Sequence, residues 1–227
     1  LVNEHEQQGI PGMQGMQGSH ALRTLSPITW DSGLHNLSQS DKQLYASSTM
    51  STTRVLDLSN VIAGPTIGQF LARMGARVTK VDPVDPHYAP EITILYGMVA
   101  NLGKESILVD IATEEGRSAL DALVKESDIV IINSTEQCMR RLRMTPDDIQ
   151  KMNDAAILVR FDAWGGPSES GHLSSFVGYD DNVQAGIGIM ERFGGSLSDA
   201  EEHAHIGTID VIAGVAAAFG AAVSLLH

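Results

Sequence analysis

The sequence predicts an α/β fold built on a mostly parallel, Rossmann-like sheet with helices on both faces. Three observations carry that expectation. From Arg54 onward short apolar runs alternate with helically spaced segments, the succession that yields βαβ units. One run, Ile129–Ile132, is apolar at every position, as a strand buried on both faces must be. The 227 residues and 43% apolar content suffice for one substantial domain plus an appendage.

Residues 1–51 differ in kind from the remainder of the chain. Gly9, Gly12, Gly15 and Gly18 recur every third position, far too briefly for a collagen helix, so this stretch reads as linker. Ser26 to Met50 holds Trp30 amid Ser, Asp and Asn, and reads as more linker or as the tail of a preceding domain. Met50 is also a candidate alternative start. The folded portion is expected over 52–227.

Within it, Val55–Leu58 reads as a strand. Ile67, Phe70, Leu71 and Met74 mark a helix over Thr66–Met74 that closes at Gly75. Val78–Val81 is a second strand, stopped by Asp82-Pro83. A loop through Pro90 and a weakly patterned stretch lead to a third strand at Ser106–Val109. Thr113-Glu-Glu-Gly opens a helix with apolar positions at Leu120, Leu123 and Val124. After the Ile129–Ile132 strand come helices near Glu136–Arg143 and Pro146–Met152, the second with Thr145 as N-cap and Pro146 at its first position. Ile157–Phe161 is the fifth strand. The run Val211 to Leu226 is too short and too rich in Gly and Ala for a membrane span, and is expected as a buried helix. The chain stops at His227 directly after it, which reads as part of something longer.

Charge and cysteine usage narrow the classes. A net charge of −13 argues against a nucleic-acid or membrane-surface binder, and any anion site must then be built locally. Cys138 is the sole cysteine, so no intrachain disulfide exists and a reducing, cytoplasmic setting is expected. It sits in the basic stretch Met139-Arg-Arg-Leu-Arg without a histidine nearby in sequence, and reads as structural or incidental. The opening Leu1-Val-Asn-Glu-His-Glu-Gln-Gln is polar and does not read as a signal peptide.

No Gly-x-Gly-x-x-Gly follows the first strand. Ala63-Gly64-Pro65-Thr66-Ile67-Gly68 stands there, either a tight strand-to-helix turn or a helix N-terminus offering amides to an anion. Glu201-Glu202-His203-Ala204-His205 lacks a third fixed ligand and reads as a solvated loop, so no metal site is expected. No Gly-x-Ser-x-Gly elbow is present. Trp164-Gly-Gly-Pro after the fifth strand is a site edge or a plain turn.

Asp210 heads the run Ile206-Gly-Thr-Ile-Asp-Val-Ile-Ala-Gly. An acidic side chain there is favoured by the field of the helix N-terminus. It is either an ordinary first-turn carboxylate or a carboxylate kept ionised for nucleophilic work.

Six segments together resemble the class III CoA-transferase family, which includes formyl-CoA transferase, carnitine CoA-transferase and α-methylacyl-CoA racemase. They are Val55-Leu-Asp-Leu-Ser-Asn-Val-Ile-Ala-Gly-Pro, Leu71-Ala-Arg-Met-Gly-Ala-Arg-Val-Thr-Lys-Val-Asp and Asn101-Leu-Gly-Lys-Glu-Ser-Ile-Leu-Val-Asp, then Ser127-Asp-Ile-Val-Ile-Ile-Asn, Gly178-Tyr-Asp-Asp-Asn-Val-Gln-Ala and Ile209-Asp-Val-Ile-Ala-Gly. They occur in family order over about residues 54–227.

The resemblance implies the N-terminal portion of the family's large domain, truncated, with coenzyme A as co-substrate. It implies that Asp210 is the nucleophile that exchanges CoA between an acyl-CoA and a small carboxylic acid through an aspartyl-CoA thioester. By the same analogy Val61, Ile62 and Ala63 line the CoA pocket, Asn133 lies near the pantetheine and Lys104 near the adenosine phosphates. Departures are Tyr179 where racemases carry histidine, Glu105 where an arginine is usual, Pro83 where some relatives place a basic residue, and Thr135-Glu-Gln in place of Arg-Pro-Gly. The missing histidine favours transfer over racemisation. A racemase or CoA-dependent lyase using the same aspartate is one alternative, and a non-catalytic supporting half is another. Family members interlock as dimers, so a homodimer or, in a tandem fused chain, an intramolecular pseudo-dimer is expected.

Overall fold

The structure is a computed structural model that describes residues 22–24, 50–85, 96–165, 173, 176–194, 198 and 207–226. Its sheet has six strands: β1 (Leu22–Thr24), β2 (Arg54–Asp57), β3 (Arg77–Asp82), β4 (Glu105–Val109), β5 (Ile129–Ile132) and β6 (Ile157–Arg160). Their spatial order is β1-β4-β3-β2-β5-β6. The five strands from β2 to β6 run parallel, and β1 pairs antiparallel at the edge, Leu22 opposite Val109.

That edge strand lies inside the stretch expected to be linker or tail. Three residues are too few to carry a readable period. Met50, also expected outside the fold, is buried in the core with Val55 and Val78. The Gly9–Gly18 repeat, Trp30 and the Glu201–His205 loop lie outside the described residues.

The helices are α1 (Ala63–Arg73), α2 (Glu114–Lys125), α3 (Glu136–Leu142), α4 (Pro146–Met152), α5 (Asp180–Gly186) and α6 (Thr208–Ser224). Several starts and stops have a local cause. Gly75 takes φ 104 after α1, and the amides of Gly75 and Ala76 return to the carbonyls of Ala72 and Leu71, a Schellman closure. Thr113 and Thr135 cap α2 and α3 by accepting from Gly116 and Cys138. Thr145 and Asp148 form a reciprocal capping box with Pro146 at the first helical position. The Thr145 hydrogen bonds hold the Asp148 carboxyl below its ordinary range.

Alternation along the strands builds two cores. Val55, Ile129 and Ile131 point to one face, where they meet Ile67 and Leu71 of α1 and Ala218 and Ala221 of α6. Leu56, Val130 and Ile132 point to the other, against Leu120 and Val124 of α2, Met139 of α3 and Ile149 of α4. Both faces are covered, which explains the unbroken apolar run of β5.

The expected burial of α6 is corrected. Only Gly214, Ala218 and Ala221 of this helix are buried, while Ile212 and Phe219 are 65% and 67% exposed. Small residues form its contact stripe because α6 closes on α1 at backbone range: a Cβ at Gly214 would sit 2.7 Å from the Ala63 carbonyl oxygen. The large apolar side chains are left on the opposite side. No helix among the described residues is long and apolar enough to cross a membrane.

The chain steps outward through β2, β3 and β4, then returns to place β5 and β6 on the other side of β2. The carboxyl ends of β2 and β5 therefore open where the winding direction reverses, the position at which open α/β sheets bind ligands.

Candidate active site

A cleft of about 360 Å³ lies at that switch point. Asn60, Val61 and Ala63 come from the β2–α1 turn, Asn133 to Thr135 from the end of β5, and Cys138 and Arg141 from α3. Arg160 to Trp164 follow from β6, and residues 176–179 and Asp210 complete the wall.

The β2–α1 turn is held from two sides. On one, the Asn133 amide pairs both ways with the Asn60 backbone, donating to its carbonyl at 2.7 Å and accepting from its N–H at 2.9 Å. On the other, Asp57 at the end of β2 accepts from the Ser59 amide at 3.0 Å and from the Ser59 hydroxyl. Directly after these anchored residues Val61 has φ 67, a left-handed conformation that a β-branched residue rarely adopts. Gly64 is required beside it, because a Cβ there would lie 2.2 Å from Ser59 Cβ.

Asp210 is the third residue of α6. The N-cap, Gly207, has φ 85 and no side chain to receive the first amides. Asp180 of α5 supplies the missing acceptor, taking the Asp210 N–H at 2.8 Å. Asp180 is buried, and Gln184 donates to its second oxygen. Burial first, and then the nearby charges of Asp180 and Asp181, push the Asp210 carboxyl up to about 6. Desolvation and two like charges therefore act against ionisation at this helix start, although a carboxyl near 6 is still mostly ionised at neutral pH.

Trp164 braces α5. A Cβ on Gly178 would meet its Nε1 at 2.9 Å, and one on Gly186 would meet its ring at 3.3 Å, so both glycines make room for the indole. Arg160 spans Glu136 at 3.0 Å and Asp162 at 3.4 Å, which offset its charge. Arg141 is exposed, with Nη2 3.9 Å from the sulfur of Cys138.

A model of CoA-transferase family III matches residues 50–227. The chain belongs to this family. It is 45% identical over 172 residues to the CoA-transferase/lyase DddD of Marinomonas sp. (strain MWYL1), covering 76% of this chain and 20% of that protein. It is 28% identical over 192 residues to the succinate–glutarate CoA-transferase of Agrobacterium fabrum, covering 78% of this chain and 47% of the relative. A CAIB/BAIF family crystal structure from Brucella suis superimposes with a TM-score of 0.70 at 26% identity, over 79% of this chain and 49% of that one. The chain therefore spans between a fifth and about half the length of these relatives.

For this family III chain, the structure brings Val61, Ala63, Asn133 and Asp210 to one cleft. Ile62 stands behind it, against Gly207, where a Cβ would lie 2.8 Å from Ile62 Cδ1. Lys104 is placed elsewhere. Its ammonium is buried and donates to Asp57 at 2.6 Å, the Pro65 carbonyl at 2.7 Å and Asn101 at 2.9 Å. Its three N–H donors are already committed and Lys104 is absent from the cleft lining, so contact with a phosphate there would cost at least one of these buried bonds. Glu105 also lies outside the cleft wall, 3.9 Å from Arg77. Thr135 and Glu136, which replace Arg-Pro, serve as N-cap and as partner to Arg160.

Sequence reasoning missed Asp180, Arg141, Arg160 and the cleft position of Cys138. The Arg141 signal was present in the basic run after Met139, but a charge run ordinarily marks a solvated face. Cys138, read as structural or incidental, is half-buried and lines the same cleft as Asp210.

Proposed function

We propose that Asp210 is the nucleophile of a CoA transfer between an acyl-CoA and a small carboxylic acid. The observation that carries the reading is the meeting of Asp210 with Val61, Ala63 and Asn133 across the switch-point cleft. An Asp210 carboxylate oxygen attacks the thioester carbonyl carbon, the C–S bond breaks, and CoA leaves as thiolate. The mixed anhydride is then attacked at the aspartyl carbonyl by that thiolate, releasing the first acid and leaving aspartyl-CoA. The acceptor carboxylate repeats the two steps in reverse and regenerates Asp210. Each difficult exchange is divided through a covalent enzyme species.

The other groups fit coenzyme A as co-substrate. The free amides at the start of α1, beside Val61 and Ala63, suit an oxyanion. Asn133 fixes that turn and borders the pantetheine path. Arg141 is the exposed cation on the wall and takes the phosphate role in place of Lys104. Arg160 remains committed to Glu136 and Asp162.

Coverage of 20% of the DddD protein against 47% of the succinate–glutarate CoA-transferase supports a tandem fused setting, with the other half or a second chain completing the site as a pseudo-dimer or interlocked homodimer. The transferase/lyase name of that relative favours one second reading, elimination from the CoA ester after the same aspartate has transferred CoA. A reducing, cytoplasmic setting agrees with the free Cys138.

The test uses the full-length protein with an acyl-CoA panel, trapping by hydroxylamine or borohydride, and peptide mapping by mass spectrometry. Label on Asp210 that disappears in Asp210→Ala supports the reading. Turnover with label elsewhere would make this segment a supporting half.

A further inference from the structure

We propose that Lys104 and Asp57 are positioning residues that clasp the β2–α1 turn in its binding conformation. This rests on the reading that the turn binds acyl-CoA. Asp57 is fully buried and the Lys104 side chain 1% exposed, so the pair sits beneath the cleft wall and has no access to ligand. One Asp57 oxygen holds Ser59, the residue two before Val61. The other holds the Lys104 ammonium, which reaches onward to the Pro65 carbonyl in the first turn of α1. The pair therefore grips the turn at both ends, at Ser59 and at Pro65, with strained Val61 and cleft-lining Ala63 between.

The packing is arranged around this grip. At Gly68, one turn further along α1, a Cβ would lie 2.7 Å from the Asp57 oxygen and 3.1 Å from Lys104 Cε and Nζ. Asn101 takes a third bond from the ammonium, so every proton is placed. A left-handed valine persists only where its surroundings over-determine it. A buried ion pair is weak evidence of net stability, and holding one conformation is its better-attested use. Lys80 and Asp82 are the other charged groups beside the pair, Lys80 itself being tied to Asp82 at 2.5 Å.

The experiment uses the full-length protein and three alterations: Ser59→Ala, Gly68→Ala, and the charge-free double variant Asp57→Asn with Lys104→Met. Gly68→Ala also gains helix propensity, which favours retention of the fold. Val124→Ala, in the opposite core, serves as a control for general destabilisation. Hydrogen exchange at residues 59–64 is measured without ligand, and the acyl-CoA KM is measured per titrated active site. Exchange of those amides is expected to quicken about tenfold and KM to rise about tenfold, the size of one lost buried hydrogen bond, while the control moves neither. Unchanged exchange at 59–64 overturns the clasp. Faster exchange with an unaltered KM overturns its positioning role and leaves a structural pair. If the wild type neither binds nor is labelled by acyl-CoA, the transfer reading fails, and the exchange measurement still decides the clasp.

Discussion

Asp210 is a carboxylate in an unfavourable electrostatic setting, and this has consequences for both rate and stability. If Asp210 is the nucleophile proposed above, a carboxyl near 6 should make the rate of covalent labelling by acyl-CoA fall below about pH 6 as it protonates. Asp180→Asn, which keeps an acceptor for the Asp210 amide but removes a facing charge, should move that midpoint to lower pH in a single-turnover pH profile. Stability responds with the opposite sign. A carboxyl raised above its unfolded value of 3.8 contributes stability below that value and loses it as pH rises through about 6. Asp210→Asn should therefore melt above the wild type at pH 7, with the gap closing as pH falls toward 3.8, as read by calorimetry. The residue itself was legible because an acid stood at the head of an apolar helix. Its perturbation was not, because Asp180 and Asp181 lie about thirty positions earlier and only the packing of α5 on α6 brings them near. The partner of Lys104 is hidden for the same reason. A lysine after a loop shows nothing in sequence of the buried Asp57 that claims it.

The elements were far more legible. Periodicity located every strand from β2 to β6, and the caps at Thr145 and Gly75 fell where the residue types demand them. What pattern could not convey was the facing of α6, since apolar residues occur all round it and no stripe stands out. Close approach selects the contact face instead. Two glycines of this helix should consequently answer in opposite ways to alanine. At Gly214 the added methyl meets backbone and Thr66 Cβ at 2.7 Å and should destabilise by about 1–3 kcal/mol. Gly220 has nothing within 4 Å of its would-be Cβ, and the same change should stabilise by up to about 1 kcal/mol. Urea titrations of both variants check the sign of each.

Across the molecule, sheet order converts a local alternation into a site. Because β5 returns beside β2, residues some seventy positions apart, Asn60 and Asn133, become hydrogen-bonded neighbours. No spacing rule foretells this, although the switch-point principle foretells where to look. The global charge has its own consequence. The −13 charge of these residues would repel the anionic thioester of the proposed reaction at long range, so the association rate of a fluorescent acyl-CoA with this chain should rise with added salt up to about 0.15 M, as read by stopped flow. Acid should loosen the structure through Asp57. Burial opposes its ionisation, but Lys104, Lys80 and the hydrogen bonds from Lys104 and Ser59 hold its carboxyl below 3.8. A depressed carboxyl contributes stability above 3.8 and loses it as pH falls through the folded value. The charge-free double variant at Asp57 and Lys104 should show a flatter melting curve in that acid range.

The seating of Trp164 between Gly178 and Gly186 makes the molecule its own optical probe. The chain has two tryptophans, so Trp30→Phe leaves a single indole, set in the cleft wall and touching the helix whose Asp180 holds Asp210. A thioester entering the cleft, as the proposed function requires, would alter the polarity around that ring, and the ring's emission would follow occupancy without any attached dye.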